Sequence, residues 1–118
     1  MRRKMRVVLK KPCEKPQVVE IGEGLKAMQE ILGKSFEGVS MLPQRKVSSN
    51  ITALHSNNDK ACPNFFIDED LICGTVLFVN DKRSNFSSLS GGQMMSLLEY
   101  FGFEKEEILN EMYKGVAI

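Results

Sequence analysis

The stretch Leu71-Ile72-Cys73-Gly74-Thr75-Val76-Leu77-Phe78-Val79 constrains the fold more than any other part of the chain. It is the longest uninterrupted apolar, β-favouring run. Leu71, Cys73, Leu77 and Val79 alternate with Ile72, Val76 and Phe78, so both faces of an extended segment are apolar. A strand with one wet face would alternate with polar residues. This pattern instead predicts a central strand covered on both sides. Burial of each large side chain there contributes about 1.5–3 kcal/mol. Gly74 needs a reason, because glycine weakens a strand interior. Either a helix crosses closely over it or a ligand approaches its backbone; two amphipathic helices in need of a sheet favour the helix.

The flanking segments supply the rest of an α+β fold. Met5 to Lys11 reads as a strand, Pro12 and Pro16 bracket a turn, and Gln17 to Ile21 resumes an extended path that can return as a hairpin. Leu25, Met28, Ile31 and Leu32 mark a helix over 25–32, with Gly33 placed to end it. Phe36 to Leu42 and Ile51 to Ser56 read as strands. The segment from Ala61 reads as the return arm of the second, with Pro63 marking an edge or a break. Asp68-Glu69-Asp70 reads as an exposed turn; it lacks the spaced oxygens and glycine bend of a calcium loop. Asn80 to Asn85 reads as a polar loop. Ser90 and Gln93 have capping-box spacing ahead of a helix carrying Met94, Leu97, Leu98 and Phe101. Gly91-Gly92 at that start suits either an anion on free amides or ordinary capping by Ser90, and the cap is favoured. Glu104 to Tyr113 forms a second short helix with its acids near the N-terminus and Ile108, Leu109 and Met112 on one face, and Gly115 ends it. The expected fold is a mostly antiparallel, curved sheet of about five strands with two or three helices packed against it.

A chain of 118 residues predicts a single domain over 1–118, large enough to fold without staples or metals. No apolar run approaches the ~18–20 residues of a membrane helix, and the basic start lacks a signal-peptide core, so a cytoplasmic protein with no membrane partner is expected. Cys13, Cys62 and Cys73 have no metal-ligand spacing and read as reduced, buried or half-buried small residues. The net charge of +1 conceals an asymmetry. Six of the sixteen basic residues fall in 1–11 with no acid, leaving ten against fifteen acids in the remainder. That arm suits nucleic acid or phosphate; it equally suits a solvated tail and an edge strand kept soluble by lysines.

The sequence argues for binding without turnover. His55 is the one histidine, and no nucleophile elbow, Walker sequence or dinucleotide fingerprint accompanies it. It reads as a strand residue that can hold a phosphate when protonated or act as a base. The most ligand-like set is Asn64, Thr75, Lys82 and Arg83 at strand ends, with Phe65, Phe66 or Phe86 nearby in sequence. Arginine matches phosphate with a forked donor, and an aromatic face stacks on a base. The competing reading is a solvated Lys82-Arg83 loop beside core phenylalanines. No cofactor and no metal is expected.

Three stretches carry a family likeness: Pro16–Ile21 leading into Gly24-Leu25-Lys26-Ala27-Met28-Gln29-Glu30-Ile31-Leu32-Gly33; Asn64 followed by Leu71–Val79; and Phe86-Ser87-Ser88-Leu89-Ser90 before Gln93. From Met5 to Phe103 the chain resembles a family of small bacteriophage and mobile-element proteins classed as a domain of unknown function, often encoded near antirestriction genes. The basic start and the last helix are additions to that pattern. The resemblance implies an accessory protein acting in a bacterial cytoplasm against host defence. One such role is sequestration of a nucleotide immune signal at a site holding Asn64, Thr75, Lys82, Arg83, Phe86 and His55. Another is inhibition of a host defence or restriction protein through an adaptable, methionine-rich surface. So small a domain has little room for a deep private pocket, so a homo-oligomer with the site between subunits is expected.

Overall fold

In the computed structural model, which describes residues 4–41, 48–56, 61–82 and 85–114, the long apolar run is two strands rather than one. Asp70–Cys73 (β6) and Val76–Lys82 (β7) are separated at Gly74, whose φ of 81° lies in the left-handed region. Gly74 is there to turn the chain; neither a helix nor a ligand is needed to explain it.

The prediction of a strand covered on both faces holds for β7. Val76, Leu77, Phe78 and Val79 are all fully buried. Val76 and Phe78 enter one core cluster, Leu77 and Val79 the other. β7 lies between Lys4–Lys10 (β1) and Ile51–His55 (β4). Outside β1 is Gln17–Gly22 (β2), and outside β4 is Glu37–Ser40 (β3), giving the order β2-β1-β7-β4-β3 with every pairing antiparallel. A sixth strand, Asn85–Ser87 (β8), pairs with Asn80–Lys82 of β7. Asn80, Asp81 and Lys82 are therefore strand, not loop. N-terminal to Val8, β1 parts from β7 and meets β8's continuation: Leu89 N–H donates to the Arg6 carbonyl, and Arg6 N–H donates to Ser88 Oγ.

The expected hairpin between the fourth strand and the segment after Ala61 does not form. Pro63–Ile67 (β5) pairs with β6 as a separate two-stranded sheet. Asp68 and Glu69 make its turn, Asp68 at φ 57°. Its Ile67 and Ile72 join the same core cluster as Phe78, together with the helix Gly91–Tyr100 (α2) and Ile108 of the helix Lys105–Met112 (α3). The helix Leu25–Leu32 (α1) covers the opposite face through Met28 and Leu32.

Helix ends follow the local chemistry. Ser90 Oγ accepts from Gln93 N–H while Gln93 Oε1 accepts from Ser90 N–H, so the reciprocal cap is formed. Gly33 ends α1 at φ 102°, as its position predicted. On α3, Ile108 is buried but Leu109 is exposed, so the apolar face is narrower than its spacing implied. Gly115 lies outside the described residues. Two further expectations are corrected. β1 is an interior strand, and its Lys10 is buried rather than solvated. Cys13 and Cys62 are exposed; only Cys73 is half-buried.

Candidate functional site

The predicted ligand residues fall at opposite ends of β7. Thr75 immediately precedes the strand and Lys82 ends it. Seven residues of extended chain put them about 23 Å apart. Asn64, Thr75 and His55 belong to one end, and Lys82 and Phe86 to the other. Lys82 is placed by its backbone only; Arg83 lies outside the described residues.

At the first end the amide of Asn64 is occupied by the chain itself. Its Nδ2 donates to the carbonyls of Lys10 (2.9 Å) and Gly74 (2.8 Å), and its Oδ1 accepts from Lys10 Nζ (2.8 Å). Lys10 is only 9% exposed, and its ammonium sits 5.7 Å from the Phe101 ring centroid. Burial pushes its pKa down, with nearby Cys13 and Glu14 opposing the shift. Thr75 is half-buried beside this clamp. His55 is buried on β4 opposite Glu37 of β3, with Nε2 3.7 Å from Oε1. These groups tie segments together and leave little room for a ligand.

The other end carries space. Two adjoining depressions of about 460 and 560 Å³ share Glu23 and Ser87. Lys4, Met5 and Ser88 line the first; Gly24, Leu25, Met28, Asn85 and Phe86 line the second. The sequence places them here for local reasons. Gly22 ends β2, and Gly24 at φ 113° turns the chain into α1. Gly24 has no side chain to cap that helix, so its first-turn amides receive no side-chain cap. β8 is fixed opposite by Asn80 Nδ2, which donates to Ser87 Oγ at 2.9 Å. Asn80 is itself held by Gln93 Nε2, which donates to its Oδ1 at 2.9 Å. The cap of α2 therefore positions the wall of the groove. Lys82 pairs with Asn85, a lining residue.

Together these groups offer an aromatic edge (Phe86), an apolar floor (Met28, Leu25), amide donors, hydroxyls and a cation (Lys4). Pockets that hold small ligands have this volume and mixture. A third depression, of about 500 Å³, lies between α2 and α3. Glu99, Glu104 and Glu106 dominate its lining, which repels an anion.

This architecture has a match. Residues 5–102 fit the family described as Domain of unknown function (DUF3846). The chain belongs to that family. The matched span takes in the sheet from Met5 onward, the β5–β6 hairpin and the groove's lining apart from Lys4, and ends before α3. No curated protein and no solved structure matches the chain.

Of the groove's lining, the sequence singled out Phe86 as a ligand group. Lys4 belongs to the basic arm that suits nucleic acid or phosphate, while Glu23, Gly24, Leu25, Asn85 and Ser87 carry no ligand reading in the sequence. One signal was present: a helix start at Gly24-Leu25 with no Ser, Thr, Asp or Asn at its cap. In the basic arm, Lys10 is buried and Arg6 donates to the Met112 carbonyl, leaving Lys4 and Lys11 exposed among the described residues. No helix among the described residues is long and apolar enough to cross a membrane.

Proposed function

We propose that this protein binds a small phosphate-bearing ligand, a nucleotide by preference, in the groove between α1 and β8 and does not transform it. The observation that carries the reading is the pair of adjoining depressions, one lined by Phe86 and the uncapped start of α1 and the other by Lys4, that share Glu23 and Ser87. A base packs against Phe86 and Leu25. The phosphate takes the first-turn amides of α1 and the Lys4 ammonium. Glu23 accepts from a ribose hydroxyl or an exocyclic amine. The phage or mobile-element setting implied by the resemblance gives such a ligand a role: a nucleotide immune signal held out of circulation in the bacterial cytoplasm. A second copy closing over the groove supplies further enclosure.

Titration calorimetry against a panel of cyclic nucleotides and ADP-ribose-type nucleotides tests this. One or more should bind, and Phe86→Ala together with Lys4→Ala should weaken that binding at least about tenfold, since each removes roughly one contact's worth of energy. No heat from any of them on folded protein defeats the reading.

A second reading, inhibition of a host defence protein, draws on the β5–β6 hairpin. Phe66 (58% exposed) and Leu71 (45% exposed) stand directly opposite each other on its outer side. An exposed apolar cross-strand pair suits a protein contact. Loss of a stoichiometric host partner on Phe66→Ser would favour it.

A further inference from the structure

The edge of the main sheet at β2 is covered in an unusual way. β2 is the last strand on that side, so alternate backbone N–H groups face outward without a neighbouring strand. Val18 N–H is one of them, and it donates to Glu111 Oε2 of α3 at 2.8 Å. A side chain thus occupies the place of a strand's carbonyl. The same carboxylate takes Lys114 Nζ at 2.9 Å and is only 16% exposed. Strand alternation aims Glu20 N–H to the same side as Val18 N–H, and no described group accepts from it.

The rest of α3 is fastened to the same hairpin by polar contacts. Lys15 Nζ meets Glu107 Oε2 at 3.2 Å and lies 5.8 Å from the Phe103 ring centroid. The Arg6 guanidinium donates to the Met112 carbonyl. Ile108 is the one buried residue of the helix. α3 therefore rests on a small apolar contact reinforced by exchangeable polar ones. It also lies outside the span shared with the family, which ends at residue 102.

We propose that α3 is an intramolecular guard of the β2 edge, and that the guarded edge is a surface on which a second copy of this chain docks by strand addition. The second copy fits for a reason of register. In an antiparallel two-fold pairing centred on Val19, Val18 of each copy faces Glu20 of the other. The outward N–H and C=O groups of both residues are then matched, while the two Glu20 carboxylates avoid standing directly opposite. Pro16, which has no N–H, ends the pairing on one side. Glu111 competes for the Val18 N–H that such a dimer needs.

The test is the dimer dissociation constant of the full-length chain by sedimentation, with melting curves to certify folding. Glu111→Ala frees the edge in both copies and should tighten dimerisation about a hundredfold, roughly tenfold for each of the two charge-assisted hydrogen bonds the dimer no longer has to break. Glu111→Gln keeps an acceptor and should leave the constant near that of the parent. Adding Glu20→Pro to Glu111→Ala removes an outward N–H without touching the β1 ladder and should reverse the gain. An unchanged constant in Glu111→Ala overturns the proposal, and so does a dimer indifferent to Glu20→Pro. If Glu111→Ala is too unstable to sediment, hydrogen exchange decides: Val18 N–H should exchange faster in Glu111→Ser than in Glu111→Gln, and equal rates count against the guard.

Discussion

Asn64 and Lys10 hold each other through two hydrogen bonds. The Asn64 amide donates to the Lys10 carbonyl and accepts from the Lys10 ammonium, while its second N–H reaches the Gly74 carbonyl. One side chain thereby joins β1 to the β5–β6 hairpin and to the turn that starts β7. Asn64→Ala removes a donor from two carbonyls and leaves the buried Lys10 ammonium with the Lys11 carbonyl alone, at 3.3 Å. It should lower stability by roughly 2–3 kcal/mol, read as a drop in urea midpoint at unchanged slope. Asn64→Asp keeps the acceptor for Lys10 and should cost less.

Lys10 also makes stability depend on alkaline pH. Burial holds its folded-state pKa below the ordinary 10.5, so the unfolded chain binds the proton more tightly. Its contribution is present above that ordinary value and is lost as pH falls through the depressed one. Tyr100 works the other way: burial raises its pKa above 10.0, so its contribution is present below that value and lost as pH rises through the higher one. Lys10→Met should therefore remove the alkaline gain and leave the steeper decline due to Tyr100. Urea midpoints of parent and variant, followed from neutral pH to the ordinary lysine value, should diverge in the parent's favour.

α3 should loosen in acid. The Glu104 backbone N–H donates to Glu107 Oε1 at 3.1 Å, and with the Lys15 contact it lowers the Glu107 pKa below its ordinary 4.5. The cap is complete above that value and is lost as pH falls through the depressed one. Amide exchange in α3 should accelerate over that window, and Glu107→Gln should abolish the pH dependence while α2 is unaffected.

Gly74 and Gly102 make a matched pair for separating strain from contact. Both have positive φ, 81° and 93°. A Cβ on Gly102 meets nothing within 4 Å, whereas one on Gly74 comes within 3.3 Å of Ala61 Cβ. Alanine should cost about 1–2 kcal/mol at Gly102 from backbone strain alone. Gly74→Ala should cost more, as measured by thermal unfolding.

Much of this was legible because it is local. The two faces of β7, the hairpin of β1 and β2, the bounds of α1 and the reciprocal cap of α2 all follow from spacing within about ten residues. What escaped depends on distant partners. The alternation of Leu71 to Val79 passes through Gly74 unbroken, and only its backbone conformation reveals two strands. Lys10 looks solvated within a basic run; it is buried because Asn64, 54 positions away, receives its ammonium. Thr75 and Lys82 look like neighbours in a list of strand ends, yet one strand's length separates them. The groove draws its walls from α1 and β8, segments about sixty residues apart whose meeting no periodicity announces.

The central claim is that the groove between α1 and β8 holds a nucleotide without altering it. Backbone amide shifts of the labelled protein, recorded during titration with ADP-ribose and with a cyclic dinucleotide, test it most directly. At least one ligand should move Gly24, Leu25, Phe86 and Ser87 while Asn64 and His55 stay in place, and the nucleotide should be recovered intact. Shifts absent from these residues, or centred on Asn64 and Thr75, or a ligand recovered as product, would contradict the account.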